Sequence, residues 1–270
     1  MHPVLFRIPG IGFELRSYGL MIALAFLIGT LTAAARARRS SIKPESVLDL
    51  AVYVIIAAIL GARLVFAVQH WRAFLHWWEA LFFWRGGLVF YGGVIAAALA
   101  TIIFAAVKKL RILALLDVIA PSVALGLVFG RIGCFLNGCC FGKPTHLPWG
   151  VVFPSGAFVY TDSVLPDGTP AAIPYPTSVH PTQLYSALIA LVLYVFLEWM
   201  FRKKKSYDGQ IALLFGFFYP VGRFAVEFLR GDNPRAVLGM TLSQAISAAY
   251  FVFNFLLYLY LRTRRGGERS

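Results

Sequence analysis

Residues 130–142 read Gly-Arg-Ile-Gly-Cys-Phe-Leu-Asn-Gly-Cys-Cys-Phe-Gly and close an apolar segment of membrane length. The stretch contains Arg131, four glycines, an amide and all three cysteines of the chain. A charged side chain at membrane depth has to face a protein interior or a polar cavity, so Arg131 predicts a functional site. The glycines allow close approach of the backbone to another helix or to a ligand. Together these residues predict a cavity that attracts an anion.

The composition of the chain is that of an integral membrane protein. Hydrophobic residues make up 59% of the sequence and charged residues only 14%, against about 25% charged in a soluble domain. The net charge of +13 comes from short basic runs beside apolar segments, as membrane orientation requires. The sequence has neither a long basic tail nor a basic–aromatic repeat, so nucleic acid is not an expected partner.

Seven apolar segments approach the roughly 20 residues that a spanning helix needs. They predict an all-α membrane protein with seven transmembrane helices in a single membrane-embedded domain, residues 1–270. The predicted spans are residues 17–35, 50–68, 86–107, 118–136, 182–201, 209–230 and 236–261.

Basic clusters follow the first, third, fifth and seventh of these segments. The positive-inside rule then predicts a cytoplasmic C-terminus and an N-terminus outside. Residues 33–35, Ala-Ala-Ala, resemble a signal-peptide cleavage site. However, the basic run follows the first apolar segment instead of preceding it, so we expect an uncleaved helix.

Two regions do not fit simple spans. Residues 69–85 contain four tryptophans and two histidines, which is typical of a segment lying at the membrane–water interface. Residues 137–181 are rich in proline and polar side chains. We expect them to form a small irregular extracytoplasmic loop domain between spans four and five, and a loop of this length usually has a function.

The sixth segment places Tyr219, Arg223, Glu227 and Arg230 on one helical face, at spacings of four, four and three residues. A carboxylate between two guanidiniums holds both in place and leaves net positive charge. Planar guanidinium forks bind phosphate oxygens bidentately, so the pattern favours a phosphate site. The alternative is a structural ion-pair network. Since Arg131 and Arg63 add further cations at membrane depth, an anionic headgroup is the better interpretation.

Several other residues at segment entrances are candidates for chemistry. His180 precedes Pro181 at the start of the fifth segment, where a histidine serves as a base, a headgroup contact or a helix cap. Two Gly-Gly pairs flank Tyr91 at the entrance of the third segment, which indicates close backbone packing near that tyrosine. Tyr18 at the start of the first segment is weaker evidence, because tyrosines are common at interfaces.

The three cysteines do not form a disulfide framework, and histidines at zinc-finger spacing are missing from the sequence. We therefore predict no metal site and interpret the cysteines as small packing residues at a helix end. Pairing of Cys134 with Cys139 or Cys140 stays open if they face an oxidising compartment.

Taken together, the motifs around Tyr18, Tyr91, residues 130–142, His180 and residues 219–230 occur in the same order along the chain as those of bacterial prolipoprotein diacylglyceryl transferases, and they resemble them. The resemblance implies a multi-pass enzyme of the bacterial cytoplasmic (inner) membrane that needs no metal or soluble cofactor. Such an enzyme moves the diacylglyceryl group of phosphatidylglycerol to the lipobox cysteine thiol of a prolipoprotein signal peptide and releases glycerol phosphate. Its partners are therefore that lipid, that peptide and the bilayer. The candidate catalytic residues are His180, Tyr91, Arg223 and Glu227, and the candidate substrate-binding residues are Arg131, Arg230, Tyr18, Tyr219, Asn137 and Gly142.

Three positions depart from the family pattern, which usually has histidine at Tyr91, asparagine at Cys134 and glutamate at Cys139. These departures do not affect the lipid-binding arginines Arg131 and Arg223. They affect the residues expected to act on the acceptor, the lipobox cysteine thiol. One reading is a divergent transferase that uses His180 or Tyr91 as base. The alternatives are a transferase with another acceptor, a lipid-binding protein, and a transporter of an anionic solute. The lack of an internal repeat and the odd number of spans disfavour the transporter.

Overall fold

In a computed structural model of the chain, seven α-helices account for most of the residues that the structure describes. The structure describes residues 4–7, 14–71, 78, 82, 87–155, 174–232, 235–237 and 239–267. The helices within these ranges are α1 (Ser17–Ala37), α2 (Pro44–Gln69), α3 (Phe90–Val107), α4 (Ile112–Asn137), α5 (Thr182–Lys203), α6 (Gln210–Glu227) and α7 (Leu242–Gly267).

The predicted helical membrane architecture is confirmed at this level. Six of the helices are long and apolar enough to cross a membrane. The exception is α6. It is as long as α3, at 18 residues, but it carries the charged residues Arg223 and Glu227. Large apolar side chains cover the outside of the helices, as with Leu188 and Val192 of α5, both 62% exposed. On helices of this length and hydropathy, exposed apolar surface of this extent is expected in contact with lipid.

Short antiparallel strand pairs connect some of the helices. β1 (Val4–Arg7) pairs with β2 (Glu14–Arg16) ahead of α1. β3 (Val151–Val152) pairs with β4 (Ser178–Val179) between α4 and α5, and β5 (Arg235–Val237) pairs with β6 (Met240–Thr241) before α7. The predicted interfacial segment 69–85 lies largely outside the described residues, as do residues 156–173 of the predicted loop domain.

The chain divides into two compact units, one of which is Thr30–Val118. Within it, α2 and α3 pack so closely that their backbones touch. A Cβ atom on Gly92 would lie 2.5 Å from the Gly61 carbonyl oxygen, and one on Gly93 would lie 3.0 Å from that of Ala58. The second Gly-Gly pair therefore serves helix packing, as its position at the helix entrance predicts.

Arg63 also has a structural position in this unit. It is buried on α2, and its Nη1 donates a hydrogen bond of 3.2 Å to the Gly87 carbonyl oxygen. Gly87 has a φ of +72°, and a Cβ atom there would lie 2.5 Å from the Phe66 ring. Arg63 thus stabilises the turn that leads into α3. The sequence analysis had instead counted Arg63 as an additional cation for an anion site.

The second unit comprises Met1–Gly29 and Ile119–Ser270. Small side chains join α4 to α5 in a cluster of Val128, Ala187 and Ala190. Buried Asn254 of α7 donates a hydrogen bond of 2.9 Å to the Leu213 carbonyl oxygen of α6. Polar side chains such as Asn254 lie inside this unit together with small apolar ones, as expected for polar groups in a bilayer-spanning protein.

Candidate functional site

Glu227, at the C-terminal end of α6, is the centre of a buried polar cluster. Its side chain is fully buried. Oε2 lies 2.5 Å from Arg223 Nη1, and Oε1 accepts a hydrogen bond of 2.8 Å from Thr241 Oγ1. Arg223 Nη2 in turn donates a 2.9 Å hydrogen bond to Ser243 Oγ. The spacing of four residues on α6 therefore produces the ion pair that the sequence predicts.

Arg230 is held by a partner that the sequence analysis missed. Its Nε and Nη2 donate hydrogen bonds of 2.8 and 2.5 Å to the two oxygens of Asp232, while Glu227 lies farther away at 3.9 Å. Burial opposes the charge of Arg230, and the two hydrogen bonds from Arg230 to the Asp232 carboxylate compensate for it. The fork of Arg230 is thus occupied by a carboxylate of its own chain.

Arg131 differs from the other two arginines. It lies on α4, is partly buried, and makes no hydrogen bond or ion pair with any residue that the structure describes. Its side chain lines a cleft that Arg223 and Tyr219 also line. The cleft has a cavity volume of about 20 Å³, room for one water molecule. Its lining residues are Leu127, Arg131, Ser186, Ile189, Ala190, Tyr219, Gly222, Arg223 and Val226.

The two tyrosines of the candidate site occupy different surroundings. Tyr219 stacks on Phe215 of the same helix, with ring centroids 5.2 Å apart, and faces the cleft. Tyr18 packs over Gly133, where a Cβ atom would lie 3.1 Å from the tyrosine ring, and is 42% exposed. Gly133 therefore gives α1 its close approach to the end of α4.

The turn after α4 is fixed by the start of α5. Gly138 and Cys140 both have positive φ, 77° and 63°, a conformation uncommon for a residue with a Cβ atom. Buried Gln183 donates a hydrogen bond of 2.7 Å to the Cys139 carbonyl oxygen, and buried Thr182 donates one of 2.8 Å to that of Cys140. The sequence analysis assigned no role to either residue.

Gly142 lies where three backbone segments meet. Its N–H donates to the His180 carbonyl oxygen at 2.9 Å, and the next residue, Lys143, donates to that of Leu229 at 2.8 Å. A Cβ atom on Gly142 would lie 2.5 Å from His180 Cβ and 2.8 Å from the Leu229 oxygen. Gly142 thus joins the turn after α4 to the start of α5 and the end of α6.

His180 belongs to a chain of polar side chains at this junction. Its Nδ1 and the Tyr185 hydroxyl share a hydrogen bond of 3.3 Å, and the same hydroxyl accepts one of 2.8 Å from Trp149 Nε1. Tyr91 lies in the other unit, in the first turn of α3, where it is 41% exposed and packs edge-on against Phe90.

The cysteines lie together at the same turn. All three are free, and the sulfur atoms of Cys134, Cys139 and Cys140 lie within 4.8 Å of one another. Asn137 Nδ2 donates to Cys139 Sγ at 3.6 Å. Hydrogen bonds from the Cys134 and Cys139 thiols lower the pKa of Cys140, and the charges of Arg230 and Arg131 act in the same direction against the effect of burial.

Thr241 and Ser243 are further site residues that the sequence analysis missed. Thr241 Oγ1 accepts a hydrogen bond of 3.2 Å from the Gln244 N–H, and Gln244 Oε1 accepts one of 3.1 Å from the Thr241 N–H. This reciprocal pair is a capping box, and Thr-x-x-Gln before an apolar run is its sequence signal. The cap places the Thr241 hydroxyl against Glu227.

Comparison with known proteins agrees with the motifs. The family model described as prolipoprotein diacylglyceryl transferase matches residues 3–260. The phosphatidylglycerol–prolipoprotein diacylglyceryl transferase of Clostridium tetani is 36% identical, covering 94% of this chain and 97% of its own length. The second such enzyme of Clostridium perfringens is 33% identical over 92% and 91% of the two chains, and that of Finegoldia magna is 31% identical over 92% of each. The resemblance drawn from the sequence is confirmed.

Proposed function

Because the chain belongs to the prolipoprotein diacylglyceryl transferase family, we propose that it transfers the diacylglyceryl group of phosphatidylglycerol to the lipobox cysteine of a prolipoprotein signal peptide. The observation that carries this proposal is Arg131, whose guanidinium lines the cleft with Arg223 and has no ion pair within the described ranges. An anionic headgroup supplies the missing partner. The relatives' names identify phosphatidylglycerol as the lipid on which those enzymes act.

The two arginines have different parts in this proposal. Arg223 is oriented by Glu227 and Ser243, which fix its guanidinium before the lipid arrives. Arg131 supplies a second positive charge in the same cleft. Preorganised donors of this kind stabilise charge that develops on a leaving group. The phosphate of the lipid has to displace side chains in the cleft, because the present cavity holds only about one water molecule.

The transfer forms one bond and breaks one bond. The sulfur of the acceptor, as thiolate, attacks the glyceryl carbon that is bonded to the phosphate oxygen. That carbon–oxygen bond breaks, and glycerol phosphate leaves with the electron pair. We propose His180 and Tyr91 as candidates for the group that takes the thiol proton. His180 is supported by its position beside the turn after α4, where its carbonyl oxygen accepts a hydrogen bond from Gly142. The residues that shape the site around Arg131 and Arg223 are Tyr18, Tyr219, Asn137, Gly142 and Arg230.

The proposal includes an orientation in the bacterial cytoplasmic membrane. The N-terminus is outside, the C-terminus is cytoplasmic, α6 spans together with the other six helices, and residues 137–181 form the extracytoplasmic loop domain. The basic residues after α1, α3, α5 and α7 support this orientation.

A reconstitution experiment tests the transfer directly. Purified protein in phosphatidylglycerol vesicles, with the lipid labelled in its acyl chains, is given a lipobox peptide, and the peptide is analysed by mass spectrometry. We expect a mass increase of one diacylglyceryl group on the cysteine peptide and none on a matched peptide with serine in its place. An unmodified cysteine peptide, beside an active family member treated in the same way, would refute the proposal.

A further inference from the structure

The three cysteines form a cluster that the transfer mechanism above does not use. Their sulfur atoms lie within 4.8 Å of one another, and all three are free and partly exposed. They are also the only cysteines in the chain. The sequence suggested packing residues, but packing alone does not require three thiols to converge on one point.

Contacts from α5 hold the cysteine turn in the conformation that brings the sulfurs together. Cys140 has a φ of 63°, which a residue with a side chain rarely adopts. The buried Thr182 and Gln183 side chains bind the carbonyl oxygens of Cys140 and Cys139. A further amide hydrogen bond, from Asn137, reaches the sulfur of Cys139. Outer contacts that orient sulfur atoms in this way are typical of metal sites.

We propose that Cys134, Cys139 and Cys140 bind one thiophilic metal ion, Zn²⁺ in the cell, and leave its fourth coordination position open. Three sulfurs at about 2.3 Å from a tetrahedral zinc ion lie about 3.8 Å apart, so they need to approach one another by no more than about 1 Å. Thiolate ligands select soft ions of this class. Three protein ligands with one open position are the pattern of a catalytic zinc site.

The charges around the cluster suit such a site. Three thiolates and one divalent ion carry a net charge of −1. Arg131 precedes Cys134 by three residues on α4, and Arg230 forms a backbone bridge with Gly142, two residues after Cys140. Arg131, as noted above, has no competing ion pair within the described part of the chain. Positive charge on both sides of the cysteine turn therefore offsets the net negative charge of the proposed site.

The open position fits the acceptor thiol, and this step rests on the proposed transferase function. A thiol that coordinates zinc loses its proton, and the thiolate is the nucleophile of the transfer. The proton goes to water, the sulfur bonds to the glyceryl carbon, and the carbon–oxygen bond to phosphate breaks as described above. The zinc ion therefore supplies deprotonation of the acceptor, a task for which the sequence offered only His180 and Tyr91.

Metal binding can be measured without any assay of transfer. The full chain is purified in detergent with a tag free of histidine, reduced with a phosphine, and analysed for zinc by mass spectrometry. The metal-free protein is then titrated with Co²⁺. We expect one equivalent of metal and a thiolate-to-cobalt charge-transfer band in the near ultraviolet. Each of Cys134→Ser, Cys139→Ser and Cys140→Ser should weaken the band, and the triple variant should lose it.

A matched control separates these thiols from other ligands. His146→Ala removes an exposed histidine that follows the same turn and should leave the band unchanged. Protein that retains its helical circular dichroism and three titratable thiols, yet binds neither Zn²⁺ nor Co²⁺, would overturn the inference. So would a charge-transfer band that persists in the triple serine variant.

The acceptor step has its own measurement. A lipobox peptide should change the visible spectrum of the Co²⁺ protein, whereas the peptide with serine in place of cysteine should not. Metal binding without any transfer to the peptide would support the ion site and refute the transferase proposal. Transfer at an undiminished rate by the metal-free triple serine variant would support the transferase proposal and overturn this inference.

Discussion

Two carboxylates, Glu227 and Asp232, hold two of the three arginines at the site. One oxygen of Glu227 pairs with Arg223 and the other accepts a hydrogen bond from Thr241, while Asp232 accepts hydrogen bonds from Nε and Nη2 of Arg230. The stripe on α6 could be predicted because helical spacing alone brings these side chains to one face. Asp232 could not be assigned in the same way. Its contact depends on the turn that follows α6, and the sequence pattern does not specify that turn.

The bidentate role of the cleft arginines can be tested with lysine. Arg131→Lys and Arg223→Lys keep the charge but lose the planar fork. Since hydrogen bonds to charged groups contribute about 1.5–3 kcal/mol, we expect turnover to fall by about 10- to 100-fold in each variant. The rate of diacylglyceryl transfer to a lipobox peptide measures this effect.

A matched control for these variants is Arg262→Lys, an exposed arginine near the end of α7. It should transfer at the rate of the unmodified protein. If turnover falls because lipid binding is weakened and not because the fold is destabilised, Arg131→Lys, Arg223→Lys and Arg262→Lys should have similar melting temperatures in detergent. Full activity in both cleft variants would mean that charge alone is sufficient and that no bidentate contact is made.

The proton acceptor can be tested at His180 and Tyr91. If His180 takes the thiol proton, His180→Gln should reduce turnover by about 10²–10⁴-fold with little change in lipid binding. The pH–rate profile should also lose its acidic limb. Tyr91→Phe should cost much less, and Tyr91→His should be tolerated or raise the rate.

Rates of transfer over a range of pH, together with phosphatidylglycerol binding, distinguish the outcomes at these two positions. An inactive Tyr91→Phe beside an active His180→Gln would assign the proton to the tyrosine. Normal profiles in both variants would be the result expected if metal coordination alone deprotonates the acceptor.

At the scale of helices and strands, the apolar segments of the sequence predict where each helix lies but not the residue at which it begins. The third helix starts at Phe90 and not at residue 86, because Gly87 adopts positive φ and Val89 is extended. The last helix starts at Leu242 and not at residue 236, because β5 and β6 pair immediately before it. Both boundaries depend on backbone turns that hydropathy does not record.

The junction around Gly142 gives a test of how these elements are joined. Gly142→Ala places a methyl group 2.5 Å from His180 Cβ and 2.6 Å from its carbonyl oxygen. Overpacking of this kind typically costs about 1–3 kcal/mol. We expect a lower melting temperature and a loss of lipid transfer, because His180 and the cysteine turn move apart.

The matched control at this scale is Gly126→Ala on α4, where a Cβ atom meets nothing within 4 Å. Alanine has the higher helix propensity, so this variant should be neutral or slightly more stable. Thermal unfolding followed by circular dichroism in detergent compares the two variants. Equal melting temperatures and activities would show that the junction tolerates separation and that the packing argument is wrong.

At the scale of the whole chain, composition predicts a membrane protein, and the buried polar and exposed apolar side chains agree with it. The family and most of the candidate arginine site also follow from motifs that single helices carry. The sulfur cluster could not be predicted, because it requires the positive φ of Cys140 and the contacts from α5. Sequence spacing places the cysteines within seven residues but does not determine whether their sulfurs converge.

The orientation in the membrane is the last prediction, and the second unit provides its argument. The end of α4, the start of α5, the end of α6 and the start of α7 meet around Gly142, Arg230 and Thr241. The end of α5 carries the basic run at residues 202–205, and the end of α7 carries another at residues 262–265. The site and these basic runs therefore lie at opposite ends of their helices, so a cytoplasmic basic end places the site outside.

Cysteine labelling in intact cells tests this orientation. In the triple serine background, which has no native thiol, His146→Cys and Lys204→Cys each introduce one exposed thiol, at the site end and at the basic end of α5. A membrane-impermeant maleimide should label the first variant in intact cells and the second only after the membrane is opened. The reverse pattern would place the site in the cytoplasm, where a signal peptide still undergoing export and the outer-leaflet lipid could not both reach it. That result would refute the orientation while leaving the helix packing around Glu227 unchanged.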